Sequence, residues 1–135
     1  MKFEDLEAWQ AARTLTKQVY ALTRTSELAR DFGITGQIQR ASVSIMSNTA
    51  EGFERGHIQE KLQFYNIARG STAEVRSLLY VIEDNFPVCA DTAVQLREQT
   101  ASTGRLVTGL IQSTERRRPG KILSHLLSSI FQLLW

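Results

Sequence analysis

The chain has 135 residues, 42% of them hydrophobic and 22% charged, the size and composition of one globular domain, which excludes disorder along its whole length. One cysteine, Cys89, and two histidines far apart in sequence, His57 and His125, exclude an internal disulfide framework and a Cys-rich zinc site. The net charge of +2 hides an asymmetry, because Arg116, Arg117, Arg118 and Lys121 supply four of the 16 basic residues while the other 12 face all 14 acids across residues 1–115, a net of −2.

The first ten residues, MKFEDLEAWQ, carry three acids and no apolar core, so no signal peptide is expected. Nor does any uncharged apolar run reach the roughly 20 residues that span a bilayer. A cytoplasmic protein is expected. From residue 5 to 25 the apolar positions Ala8, Ala12, Leu15, Val19 and Leu22 step by four and three, which predicts an amphipathic helix broadened by Leu6, Trp9 and Tyr20. Thr25, Ser26, Glu27 and Gly33 mark a connection. Ile34, Ile38, Ala41, Ile45, Asn48 and Gly52 then trace a second helix, closed by Gly56.

Residues 58–86 hold two adjacent stripes. Ile58, Leu62, Tyr65, Ala68, Thr72, Val75, Leu79, Ile82 and Phe86 form one, and Phe64, Ile67, Ser71, Glu74, Leu78 and Val81 the other. A helix apolar on two stripes touches neighbours on more than one side. Pro87 and Pro119 fall where helices stop. Between them Ala93, Leu96, Thr100, Thr103, Val107 and Leu110 give a weaker fourth helix, with Asp91 as N-cap and three arginines at the negative end of its dipole. The prediction is all-α: an antiparallel up-down four-helix bundle over residues 1–118. Residues 119–135 form a short apolar C-terminal extension with helical spacing, suited to docking, self-association, partner binding or a membrane surface.

The stretches FEDLEAWQAA (3–12), QIQRASVSIMSNTAEG (37–52) and FYNIARGSTAEV (64–75) resemble the family called four-helix bundle protein, whose founding members are encoded in intervening sequences of bacterial 23S ribosomal RNA genes. The resemblance covers residues 3 to about 115, and the pairing of Asn-x-x-Glu-Gly with Ala-Arg-Gly-Ser is its specific part. It implies an up-down bundle assembled as a five-membered ring, with no enzymatic activity. The chain is more remotely similar to the accessory variability determinant protein of diversity-generating retroelements, a basic pentamer that binds nucleic acid and a reverse transcriptase. It departs from that relative in its slightly acidic body, and from the family pattern in its apolar tail.

Asn48 and Glu51 on the second helix and Ser71 and Glu74 on the third stand where apolar residues are due, with Arg69 close by on the third. Asn48 stands eight residues before Gly56 and Arg69 thirteen after it, so an antiparallel pair of helices brings them within one to two turns. Glu51 and Glu74 could be paired carboxylates for acid/base work or a metal. An arginine beside them holds them ionised and competes with a cation, so the residues read instead as a structural polar cluster. In it Arg69 bridges carboxylates and Asn48 fixes register. No catalytic residue, cofactor site or metal site is expected. Cys89 reads as turn packing, and Trp9 and Tyr65 as core or interface anchors. The expected function is a non-enzymatic homo-oligomeric scaffold engaging RNA, another nucleic acid or a nucleic-acid-bound protein through Arg116, Arg117, Arg118 and Lys121. The alternative is a protein–protein interaction adaptor whose tail recruits a partner.

Overall fold

Leu15, Val19 and Leu22 recur at the spacing of one helix face, and helix α1 (Glu7–Leu22) turns them inward with Ala8 and Ala12. In the computed structural model, which describes residues 1–134 and all their side chains but those of 120–125, four more helices follow. They are α2 (Phe32–Glu54), α3 (Ile58–Asn85), α4 (Ala90–Arg116) and α5 (Pro119–Leu134). Single 3-10 turns precede α1, α2 and α4, and no strand occurs among the described residues.

Contacts across the helix seams fix the directions. Late α1 meets early α2, where Gln39 Nε2 donates to Thr23 Oγ1 at 2.9 Å, and mid α1 meets mid α2, where Thr16 Oγ1 donates to the Ser42 carbonyl at 3.1 Å. Ser44 and Ser71 join their hydroxyls at 2.8 Å, and Lys61 Nζ reaches the Phe53 carbonyl at 2.6 Å, so α2 and α3 are antiparallel. Glu83 with Arg97, and Gln59 with Arg118, do the same for α3 and α4. α1 packs on α2 and α4, and α3 packs on the same two.

The core holds Leu15, Ile38, Ile45, Tyr65, Val75, Leu79, Ile82 and Val107, all nearly sealed from solvent. Threonine enters it where a hydroxyl can return to its own helix. Thr49, Thr100 and Thr114 are fully buried, and each donates to the carbonyl four residues back. That is why the stripe of α4, weak in hydropathy, still faces inward. Among the described residues no buried side-chain nitrogen or oxygen lacks a partner.

Several boundaries move from the predicted ones. Asp31 caps α2, its carboxylate accepting from the Ile34 amide at 3.2 Å, so Gly33 lies inside the helix. α2 ends at Glu54 with extended backbone at Arg55, and among the described residues no glycine has a positive φ, so Gly56 is not a left-handed cap. Asp91 sits within the first turn of α4 rather than capping it, where its charge still suits the dipole. The tail predicted over 119–135 forms α5, which contacts α4. Its apolar side chains from Leu126 to Leu134 are exposed, so they are not docked on the core. Trp135 lies outside the described residues. No described helix is long and apolar enough to cross a membrane.

Candidate nucleic-acid interface

The five polar residues read as one cluster do not gather: Asn48 and Ser71 lie at the α2–α3 seam, while Glu51, Arg69 and Glu74 are exposed. Asn48 and Ser71 do meet, through Ser44: the Asn48 amide donates to Ser44 Oγ at 2.9 Å, and Ser44 Oγ lies 2.8 Å from Ser71 Oγ. The Ser44 link was missed at the sequence level, although its signal was present, one turn before Asn48 and on the same helix face. Arg69 does not join them. It is two residues from Ser71, about 200° around an α-helix, and it is exposed, with Nη2 donating to Asn66 Oδ1 at 2.9 Å. Glu51 is exposed and pairs with Arg55 at 3.6 Å, and Arg55 also lies 3.9 Å from Glu60. Glu74 is exposed too. Arg69 therefore bridges no carboxylates, and the register contact is a neutral serine–asparagine seam.

The other singled-out residues are placed as packing groups. Tyr65 is 1% exposed, and Cys89 is buried with its sulfur 3.4 Å from Thr25 Oγ1. Trp9 is half-buried, edge-on to Phe3 with Arg13 over its ring. Among the described residues no three His, Cys, Asp or Glu side chains gather as a metal-binding group would.

The basic end is built where α2 finishes, α3 begins and α4 finishes. Lys61 caps α2 from α3, its ammonium donating to the Phe53 and Gly52 carbonyls at 2.6 and 3.4 Å, where the helix dipole is negative. Burial lowers its pKa, the nearby Arg117 guanidinium lowers it further, and Glu54 opposes both. Burial likewise pushes the Tyr65 phenol up, with Arg117 pulling the other way. Arg117 itself is exposed and donates to Thr114 Oγ1 at 3.3 Å, while Arg116 Nε donates to the Gln112 carbonyl at 3.3 Å. Arg118 donates to the Gln59 side chain across the α3–α4 seam. All of these partners are neutral groups. The fourth predicted cation, Lys121, has its side chain outside the described residues.

The family model for the 23S rRNA-intervening sequence protein matches residues 4–109. The chain belongs to that family. In the 23S rRNA-intervening sequence protein family, then, the matched part runs from the first turn to late α4, and it contains the Ser44–Asn48–Ser71 seam. Arg116, Arg117, Arg118 and all of α5 lie beyond it. Comparison with curated proteins finds no match.

Proposed function

We propose that the chain is a non-enzymatic cytoplasmic scaffold that assembles as a homo-oligomeric ring of five and holds RNA through a basic rim. In this reading α1 to α4 form an up-down four-helix bundle and α5 is an extension outside it. The observation that carries it is the state of Arg116, Arg117 and Arg118: all three bond to neutral groups, and none is in an ion pair among the described residues. One subunit brings too few cations for strong binding beside an acidic body, and a ring repeats them around one edge.

The ring is supported by apolar surface that the single chain leaves open. Ile67 and Val81 on α3 are exposed to 47% and 43%, beside half-buried Phe64 and Leu78, with Val43 exposed on α2. These are the second stripe of α3, which a neighbouring subunit would cover. The test is binding of structured RNA across a salt series by wild type and by an Arg116→Gln/Arg117→Gln/Arg118→Gln variant. Each lost phosphate contact should flatten log affinity against log salt by about 0.9 units. A wild type that binds no RNA at low salt, or a variant with the wild-type slope, would refute the rim. Light scattering that finds a stable monomer at micromolar concentration would refute the ring.

A second reading rests on α5. Its exposed Leu126, Leu127, Ile130, Phe131, Leu133 and Leu134 suit an adaptor that recruits a protein through the tail without RNA.

A further inference from the structure

Away from the basic end, α3 and α4 flank an open groove of about 480 Å³. Small groups line it, among them Ala73, Ala101, Gly104 and Gly109, together with three arginines: Arg69, Arg76 and Arg105. All three are exposed. Arg69 donates to Asn66, and Arg105 Nη2 donates to Ser102 Oγ at 2.9 Å; both partners are neutral. None of the three is in an ion pair among the described residues, and no carboxylate lines the groove. That is a selective arrangement in a body whose acids outnumber its bases. Glu83 is spent on Arg97, and Glu74, two residues from Arg76, is exposed outside the groove.

The positions fall in a row. Arg69 and Arg76 are seven residues apart on α3, about 10 Å of helix rise. A Cβ at Gly104 would sit 3.2 Å from Thr72 Oγ1, so Arg105, the next residue, is level with the middle of that interval on the opposite wall. Gln112 lines the groove further along α4, and its carbonyl holds Arg116 of the basic end. From Arg105 to Arg116 is eleven residues, about 16 Å of rise. The Gln112 end of the groove therefore lies about one helical turn from Arg116.

Gly109 supplies a separate observation. A Cβ there would meet nothing within 4 Å, so packing does not require a glycine, although one inside a helix costs about 1 kcal/mol against alanine. A glycine there adds no side chain to the groove lining, and a bare backbone can be approached closely by another chain.

We propose that the α3–α4 groove is a phosphate-binding track that seats the sugar–phosphate backbone of an RNA strand on its way to the C-terminal rim. It rests on the RNA reading above and extends it to residues inside the family-matched part of the chain. Guanidinium forks bind phosphate oxygens in pairs and stay charged at any working pH, and side chains of this kind position a backbone without reading bases.

The experiment measures fluorescence anisotropy of a labelled mixed-sequence RNA hairpin across a salt series. Wild type is compared with the groove variant Arg69→Gln/Arg76→Gln/Arg105→Gln, the rim variant above, and Gly109→Gln. The groove variant should lower affinity and reduce the salt slope by about 2 to 3 units, at roughly 0.7 to 0.9 per phosphate. Gly109→Gln, which changes no charge and should melt no lower than wild type, should weaken binding several-fold by filling the groove. If the groove variant and Gly109→Gln keep wild-type affinity and slope while the rim variant loses both, the track is wrong and the rim stands. If the groove variant loses affinity and slope while the rim variant does not, the rim is wrong and the track stands. A wild type that binds no hairpin overturns both. Polyglutamate that displaces the hairpin at equal charge concentration overturns the track in favour of an acidic protein surface as occupant.

Discussion

A Cβ added at Gly52 would stand 2.5 Å from Tyr65 Cε1 and 3.2 Å from the Lys61 carbonyl oxygen. Neither can yield easily, since Tyr65 is sealed in the core and the carbonyl belongs to the α3 backbone. Gly52→Ala gains up to about 1 kcal/mol of helix propensity but overpacks the seam, a change that costs about 1–3 kcal/mol. A lower melting temperature for this alanine variant, against the sign of its propensity, is the expected result. Tyr65 also gives the chain an alkaline limit. Its phenol is raised above the ordinary 10.0, so the folded state keeps a proton that the unfolded state loses. That stability is fully present below pH 10.0 and declines as pH rises through the folded value. Lys61 acts in the opposite sense, because its lowered pKa makes folding easier as pH rises toward 10.5. Melting curves taken at rising pH should therefore show a smaller loss above pH 10.0 for Tyr65→Phe than for wild type.

At the scale of elements, the middle of the α2–α3 seam is held by the neutral Ser44, Asn48 and Ser71 side chains, with the Lys61 ammonium at its end, and Arg69 stands on the exposed face of α3. Arg69→Ala removes an exposed side chain bonded to an exposed asparagine, so the expected change in stability is within about 0.5 kcal/mol. Ser44→Ala is the informative counterpart. It takes away the hydroxyl shared by Asn48 and the buried Ser71, and stranding polar groups in a seam costs about 1–3 kcal/mol. Chemical denaturation of both variants checks the pair of expectations. An Arg69→Ala loss as large as that of Ser44→Ala would return Arg69 to the seam.

For the whole molecule, α5 is the helix whose described apolar side chains lie outside the core. It contacts α4, and its side chains from Leu126 onward are exposed, Phe131 to 65%. Truncation after Arg118 should preserve the cooperative melt and most of the helical signal in circular dichroism, since α1 to α4 supply the core. Collapse of the truncated chain to an unfolded baseline would show that α5 completes the fold. The same truncation separates the two functional readings: RNA binding should survive it, and recruitment of a protein by the tail should not.

The helices themselves were legible in the sequence, because a period of three and four in apolar residues is a property of one segment and needs no neighbour. Ala8 to Leu22, Ile34 to Ile45 and Ile58 to Ile82 fall on the inward faces they were assigned. The stretch from Asn48 to Gly52 was legible as a device for packing, since a glycine and an asparagine on an apolar stripe must meet something close. Legible, too, was the charge asymmetry at residues 116 to 118, which needs counting alone. What the sequence did not decide was which polar side chains share a face across a seam. Arg69 and Ser71 are neighbours in the chain and face opposite sides of α3, and that assignment depends on the rotation of α3 against α2 and α4. The arginine groove was hidden for the same reason: Arg69, Arg76 and Arg105 are 36 residues apart at the extremes. They become one feature when two antiparallel helices bring them to the two walls of one groove. Periodicity fixes a helix's own inward face, and tertiary packing decides what its outer faces line.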